Sequence, residues 1–390
     1  MSQRIFIVLL LGLFITQILS GCTLFSDDDD DYGEGFDESD LVTPLVPSYP
    51  PHQTIERPEV NESQLPPGFS YNLSWALGEV YARWGGFISI SCGNTGVNDI
   101  FVYRYGIVVN WSTPSEWIYE ERNISLRVGE EKRLGLVYFN APDTEGNYSY
   151  HVIISLLVKD NELFDEYNVE SWYDNGTAHS KDNLLQVKPL LGVNKINLVH
   201  NYKHYQNKLN DKVEFEDVNV QNIVSKIIAP YPGEYNIYQV LAIFDYMLYN
   251  LTYISDPEGR DYWAYCSETL DKGGGDCEDL SILFSSMVGA IGGTTRAYLT
   301  KTHAFSALYI GNESTKNEIL WAINVYYGTE PNFVLFKEGE DYWLAADPAG
   351  ILYLGGLPAD AEPAVLSEIP LRYGFNFLDT TEIHVVDILG

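Results

Sequence analysis

Apolar residues recur along this 390-residue chain with two different periods, and the change from one to the other divides it. From Trp75 to about Asp165 the period is two. GGFISISC, DIFVYRYGIVVNW, NISLRVGEEKRLGLVYF and YSYHVIISLLVKD are strand-length runs rich in β-branched and aromatic residues, set apart by turn sequences such as CGNTG, STPS and APDTEGN. Short strands at this spacing predict an antiparallel, immunoglobulin-like sandwich over residues 70–190, which EYNVESWYDNGTAHSKDNLLQVKPL would close. NYKHYQNKLNDK and VNVQNIVSKIIAPYP read as short helices, and the boundary falls between about 180 and 205. Beyond it the period becomes helical. Asn236 is a fair N-cap for IYQVLAIFDYMLYNLTY, where Ile237, Leu241, Phe244, Leu248 and Leu251 line one face. A second helix follows KGGGDCEDLS, with Leu280, Leu283, Phe284, Met287, Val288 and Ile291 in one stripe and the pair Gly292 and Gly293 to end it. The remainder (RAYLTKTHAFSALYIG, EILWAINVYY, NFVLFKEGEDYWLAAD and EIHVVDIL) alternates like sheet strands. Helices followed by antiparallel strands make residues 200–390 an α+β domain behind an all-β one.

The N-terminal 69 residues fit neither period. Met1 to Arg4 carries a positive charge, and Ile5 to Leu19 is an apolar run shorter than the roughly 20 residues a membrane-spanning helix needs. Leu19, Ser20, Gly21 and Cys22 follow, a sequence that resembles the processing site of prokaryotic lipoproteins. The resemblance implies a signal peptide over 1–21, a lipidated Cys22 anchored in the membrane, and a mature chain on the extracytoplasmic face. Asp27 to Asp31 is a solid acidic block and residues 44–67 are studded with prolines, so 22–69 reads as an extended tether. Eight Asn-X-Ser/Thr sequons, beginning at Asn61, Asn72, Asn110, Asn123, Asn147, Asn175, Asn250 and Asn312, agree with export and suit a glycosylated, archaeal envelope.

A formal charge of −32 argues against a nucleic-acid partner, because a phosphate backbone repels such a surface. Besides Cys22 there are three cysteines, Cys92, Cys266 and Cys277, and an odd number leaves at least one thiol free for chemistry. The competing expectation is a Cys92–Cys266 or Cys266–Cys277 bridge.

Cys277 stands out by its place. A nucleophilic cysteine needs a favoured thiolate, a base within reach and a group to orient that base. The start of a helix supplies part of the first requirement through its unpaired N–H groups. Asp276 is placed to cap this helix, with Asp279 returning the bond, and Gly273 to Gly275 let the backbone turn sharply into it. His303, in THAFSALYI, and Asp347, at the end of YWLAADP, complete an ordered Cys, His, Asp set. His384, in EIHVVDIL, comes after Asp347 and reads as structural.

The Gly-rich turn before Cys277, His303-Ala304-Phe305 and Asp347-Pro348 together resemble the transglutaminase-like superfamily, which is papain-like, over roughly 150 of the 390 residues. WAYCSETLDKGGGDCEDLS is similar to the motif of bacterial transglutaminase-like cysteine proteinases. The resemblance implies acyl transfer: Cys277 attacks an amide carbonyl, His303 takes and returns the proton, and Asp347 fixes the imidazole. One oxyanion donor would be the Cys277 N–H; the second would be an upstream side chain, for which Trp263, Tyr262 and Tyr253 are open, Trp263 foremost. It also implies calcium dependence, with Asp276 and Glu278 as candidate ligands, since hard carboxylate oxygens suit Ca²⁺. The expected activity is that of a cysteine peptidase or amidase on surface proteins or peptides. Protein-glutamine transamidation and a non-catalytic envelope-binding role are the alternatives.

Overall fold

The computed structural model describes residues 17–18, 32–49, 51–52, 55–61, 66–257, 261–368 and 371–389. The expected signal segment, apart from Gln17 and Ile18, and the lipidation candidate Cys22 lie outside the described residues. The fold is mixed α/β and rich in sheet, with seven α-helices among the described residues. None of these helices is long and apolar enough to cross a membrane.

In the first half, β1 (Tyr71–Leu77), β2 (Gly86–Asn94), β3 (Ile100–Val109), β4 (Glu131–Phe139), β5 (Gly146–Lys159), β6 (Trp172–His179) and β7 (Asn183–Lys188) form two sheets. One runs β1-β2-β4, antiparallel throughout. The other centres on β5, which pairs antiparallel with β3, β6 and β7. Ile88 and Ile90 of β2, Ile107 of β3, Val137 of β4 and Val152 and Ile154 of β5 meet in one core between them. A helix that periodicity did not announce, α1 (Asn161–Tyr167), links β5 to β6, its N-cap Asp160 accepting from the Leu163 amide.

The second half begins at β8 (Asn197–His200), followed by α2 (Lys203–Asn210), α3 (Val218–Ile228), α4 (Ile237–Asn250), α5 (Cys266–Lys272) and α6 (Cys277–Gly289). Asn236 does cap α4, in a capping box with Gln239. Then come β9 (Thr295–Leu299), β10 (Ala304–Tyr309), α7 (Glu313–Tyr327), β11 (Leu335–Glu338), β12 (Asp341–Ala346) and β13 (Glu382–Asp387). The strands run in the order β11-β12-β10-β9-β13-β8, antiparallel except for the last pair. Both faces of this sheet are covered, so its strands read as nearly unbroken apolar runs. Leu308, Tyr342, Leu344 and Ala346 face α4, α6 and α7, whereas Ala307, Tyr309, Trp343 and Ala345 face Tyr373, Phe375 and Phe377 of an antiparallel pair of strands, Ala361–Glu368 and Leu371–Phe377.

Two expectations fail here. EILWAINVYY is helical and forms most of α7, started by Asn312 and stopped by Gly328 in the left-handed region. Its β-branched and aromatic residues resemble a strand in composition, but Ile319, Leu320, Ile323, Tyr326 and Tyr327 bury at helical spacing. Nor are residues 32–49 and 55–61 a free tether: Phe36 stacks on Trp343, Leu45 exchanges backbone bonds with Tyr235 and Ile237, and the Asn61 amide donates to the Trp172 carbonyl. The side chains that hold it, such as Thr294 on Asp40 and Gln206 on Glu34, come from far along the chain.

Candidate active site

The site is built at the start of α6. Gly273 ends α5 with a φ of +70°, and Gly274 and Gly275 then pair in parallel with Thr252 and Tyr253. A Cβ on Gly274 would lie 1.9 Å from the Thr252 carbonyl oxygen, so only glycine lets the two segments approach. The close pairing brings Tyr253 beside Cys277. On the other side, Ser306 Oγ of β10 donates to the Ser281 carbonyl at 3.1 Å, holding α6 against the strand that His303 precedes.

His303 leaves a tight turn in which its amide donates to Thr300 Oγ1 at 3.0 Å and its carbonyl accepts from the Thr300 amide at 2.9 Å. Its ring Nε2 lies 2.8 Å from Asp347 Oδ2. Asp347 follows directly on β12 and is wholly buried; the amides of Ala349 and Ala359 also donate to it, at 3.1 and 2.9 Å. With Nε2 committed to Asp347, the other ring nitrogen is the one left for the thiol. The chain thus brings Cys277, His303 and Asp347 together. His384 is elsewhere, packed on Tyr202 and Tyr205 and 3.3 Å from Glu382.

Charge at the site pulls in two directions. Burial alone would lower the His303 pKa, but the charge of Asp347 and its bond, with Cys277 beside the ring, outweigh it and lift it to about 11. Burial pushes the Cys277 thiol up; His303 lowers it, and Glu278 raises it again. The thiol donates to Glu278 Oε2 at 3.1 Å. Cys92, Cys266 and Cys277 are all free, so neither bridge forms; Cys266 is buried and donates to Glu214 Oε2 at 3.1 Å.

Trp263, the foremost expectation for a second oxyanion donor, is otherwise engaged. Its indole N–H donates to Asp261 Oδ1 at 2.9 Å, because Asp261 lies two residues before it in the same loop. The Tyr262 hydroxyl is spent on Glu268 Oε2 at 2.8 Å. Tyr253 is different. Burial, then the charges of Cys277 and Asp276 and a bond to Cys277, push its pKa to about 12, which keeps it a donor beside the sulfur. Half its surface is exposed, at the mouth of the site.

Asp276 is the N-cap residue of α6 but makes no side-chain bond of full capping geometry, although the Asp279 amide lies near enough to lower its pKa and the Asp276 amide does the same for Asp279. Asp279 also turns to the loop above, accepting from the Ala264 amide at 2.7 Å. Asp276 is 6% exposed and its Oδ1 has no partner among the described residues. Its carboxyl is pushed up to about 7 by burial and by Glu278, Asp279 and Asp256. Carboxylate oxygens of Asp256, Asp276 and Glu278 lie within 4.8 Å of one another. Three oxygens, one of them buried and partnerless, fit a hard divalent cation. Asp256, in SDPEG, carried no periodic or motif signal; the pairing of Thr252–Tyr253 with Gly274–Gly275 brings it in.

No family model and no curated protein sequence matches the chain. Among solved structures, it is similar to a protein of Cytophaga hutchinsonii provisionally assigned as a cysteine protease, with a TM-score of 0.25, 12% identity, and 82% of this chain and 94% of that chain covered. A native alpha-2-macroglobulin fragment of Escherichia coli, from domain MG7 to the C-terminus, is similar with a TM-score of 0.21 and 14% identity, over 47% of this chain and 29% of that one.

Proposed function

We propose that the protein is a cysteine peptidase or amidase that works through a thioester on Cys277, acting on proteins or peptides at the cell surface. The observation that carries the proposal is the 2.8 Å bond from His303 Nε2 to the buried Asp347, on a ring that also acts on the thiol at the start of α6. In this reading Sγ and His303 react as a thiolate–imidazolium pair: Sγ attacks the amide carbon, and the charged ring gives its proton to the leaving amine as the C–N bond breaks. Asp347 holds the ring and stabilises its charged form. The first-turn N–H of Cys277, which no helix carbonyl can accept, and the Tyr253 hydroxyl bind the developing oxyanion. Water, returning its proton through His303, then splits the thioester.

Asp256, Asp276 and Glu278 are the residues that would hold a calcium ion. When bound, the ion supplies positive charge that offsets these acids and ties the 252–257 segment to the start of α6. The two-sheet first half is proposed as an immunoglobulin-like module over 70–190 that positions the enzyme, and residues 200–390 as the transglutaminase-like domain. A lipid at Cys22 would hold both at the outer face of the membrane.

The test is alkylation of Cys277 by iodoacetamide, followed by mass spectrometry across pH. The proposal expects rapid modification at Cys277 that falls at least tenfold in His303→Ala, and hydrolysis of a peptide library that Cys277→Ala abolishes. Modification at the rate of an ordinary buried thiol, unchanged in His303→Ala, would overturn it.

A further inference from the structure

A cavity of about 740 Å³ opens where the first-half sheets, α7 and residues 51–52 and 55–57 meet, and three arginines line it: Arg57, Arg122 and Arg133. In a chain with 55 acidic and 23 basic residues, three guanidinium groups around one cavity run against the general balance. Each is held in place. Arg122 Nη2 donates to the Tyr326 carbonyl at the end of α7 at 3.0 Å, and the cap residue Gly328 makes room for it: a Cβ there would lie 2.3 Å from that nitrogen. Arg133 donates through Nε to Ser89 Oγ at 3.0 Å and through Nη2 to the Leu352 carbonyl at 3.1 Å. Arg57 lies over the Tyr103 ring at 3.7 Å.

Nearby acids cancel these charges only in part. Arg122 has no carboxylate within ion-pair distance among the described residues. Glu121 lines the cavity too, but it is paired with Arg104. Glu120 feels Arg122 while bonding Thr329. Arg133 is 3.8 Å from Asp245, and Arg57 is 3.6 Å from Asp174 in a pair exposed on both sides, where screening leaves little attraction. The rest of the lining is mixed: Ile55, Ile124, Leu134 and Val325 give it an apolar share beside the polar His52 and Asn123.

We propose that this cavity binds a small organic oxyanion, a carboxylate or phosphate ester on an apolar body. Guanidinium forks match both head groups in a two-bond geometry, and charge-assisted bonds of this kind are the strong ones. The apolar share of the lining takes the body, and the volume lies in the range of small-molecule sites. The site is independent of the Cys277 chemistry.

The experiment is isothermal titration of the full chain with phenyl phosphate, benzoate, inorganic phosphate and the cation benzamidine, at low and high salt. Saturable 1:1 binding of phenyl phosphate or benzoate, weakened by salt and absent for benzamidine, is the expected result, and the tighter of the two names the head group. Arg122→Gln is expected to weaken it by roughly tenfold or more. Val325→Glu, at an exposed position on α7 that tolerates a polar side chain, is expected to do the same without touching an arginine. The proposal is overturned if neither aryl anion binds, if both variants bind as tightly as the parent, or if inorganic phosphate binds as tightly as phenyl phosphate.

Discussion

Replacing Asp347 by Asn keeps the shape of the side chain and removes its charge, which isolates what the charge does to His303. The carboxylate is wholly buried and accepts from the ring and from two amides, so little water is available to substitute for it. Losing one member of a buried, hydrogen-bonded ion pair costs about 3–5 kcal/mol. The cost has a definite pH dependence. The imidazole has a folded pKa of about 11 and an unfolded one near 6.5, so its contribution is complete below about pH 6.5 and is lost as pH rises towards 11. Within that window the parent should lose stability relative to Asp347→Asn by at most about 1.4 kcal/mol per pH unit. Urea unfolding at pH 6, 8 and 10 measures this. It is best run in a Cys277→Ala background, where the thiolate no longer contributes to the lift of the ring. Titration of the His303 ring by NMR gives the same quantity directly. A parent ring that titrates near 6.5, or a stability difference between parent and variant that does not change from pH 6 to pH 10, would refute the reasoning.

Tyr253→Phe removes one oxyanion donor and is expected to lower kcat roughly 10- to 1,000-fold with a small change in KM, read from steady-state kinetics on a cleaved peptide. Adding calcium after EGTA should raise the melting temperature of the parent but not of Asp276→Asn or Asp256→Asn; a parent curve that EGTA and calcium leave unmoved sinks the cation site. Glu278→Gln, assayed in EGTA, removes a charge that raises the Cys277 thiol. Alkylation at pH 7 should therefore quicken several-fold, and a slower rate would contradict the sign.

What the sequence made legible was local chemistry and motif order. The α4 start at Asn236 lies where short-range chemistry decides the structure, and the triad candidates, spread over 277–347, were legible from their residue types and order rather than from spacing. Misreadings arose where partners distant in sequence decide. α7 carries Trp321 exposed and Ile323 buried within three positions, so its strand-like composition hides a one-sided helix. Residues 32–49 lack apolar content enough to order themselves, but Asn201, Gln206 and Thr294 make hydrogen bonds to the backbone of Gly33, Glu34 and Asp40. Trp263 could not be told from its neighbours by spacing, because what disqualifies it is the orientation of Asp261 in a loop without periodicity.

The acids beside Cys277 have separate physical fates, and together these explain how a thiol can sit among them. Asp279 faces the 261–265 loop and is occupied by the Ala264 amide, so its charge fixes that loop over α6. Glu278 faces the sulfur and accepts a hydrogen bond from it, which opposes thiolate formation against the pull of the helix terminus and His303. Asp276 faces Asp256 and Glu278 with one oxygen buried and partnerless, the arrangement that costs most when nothing positive is near. Glu278, which opposes thiolate formation, is therefore also one of the three carboxylates, with Asp256 and Asp276, that a cation would bind. Loading that cluster would favour the nucleophile through the charge on Glu278, without moving His303 or Asp347.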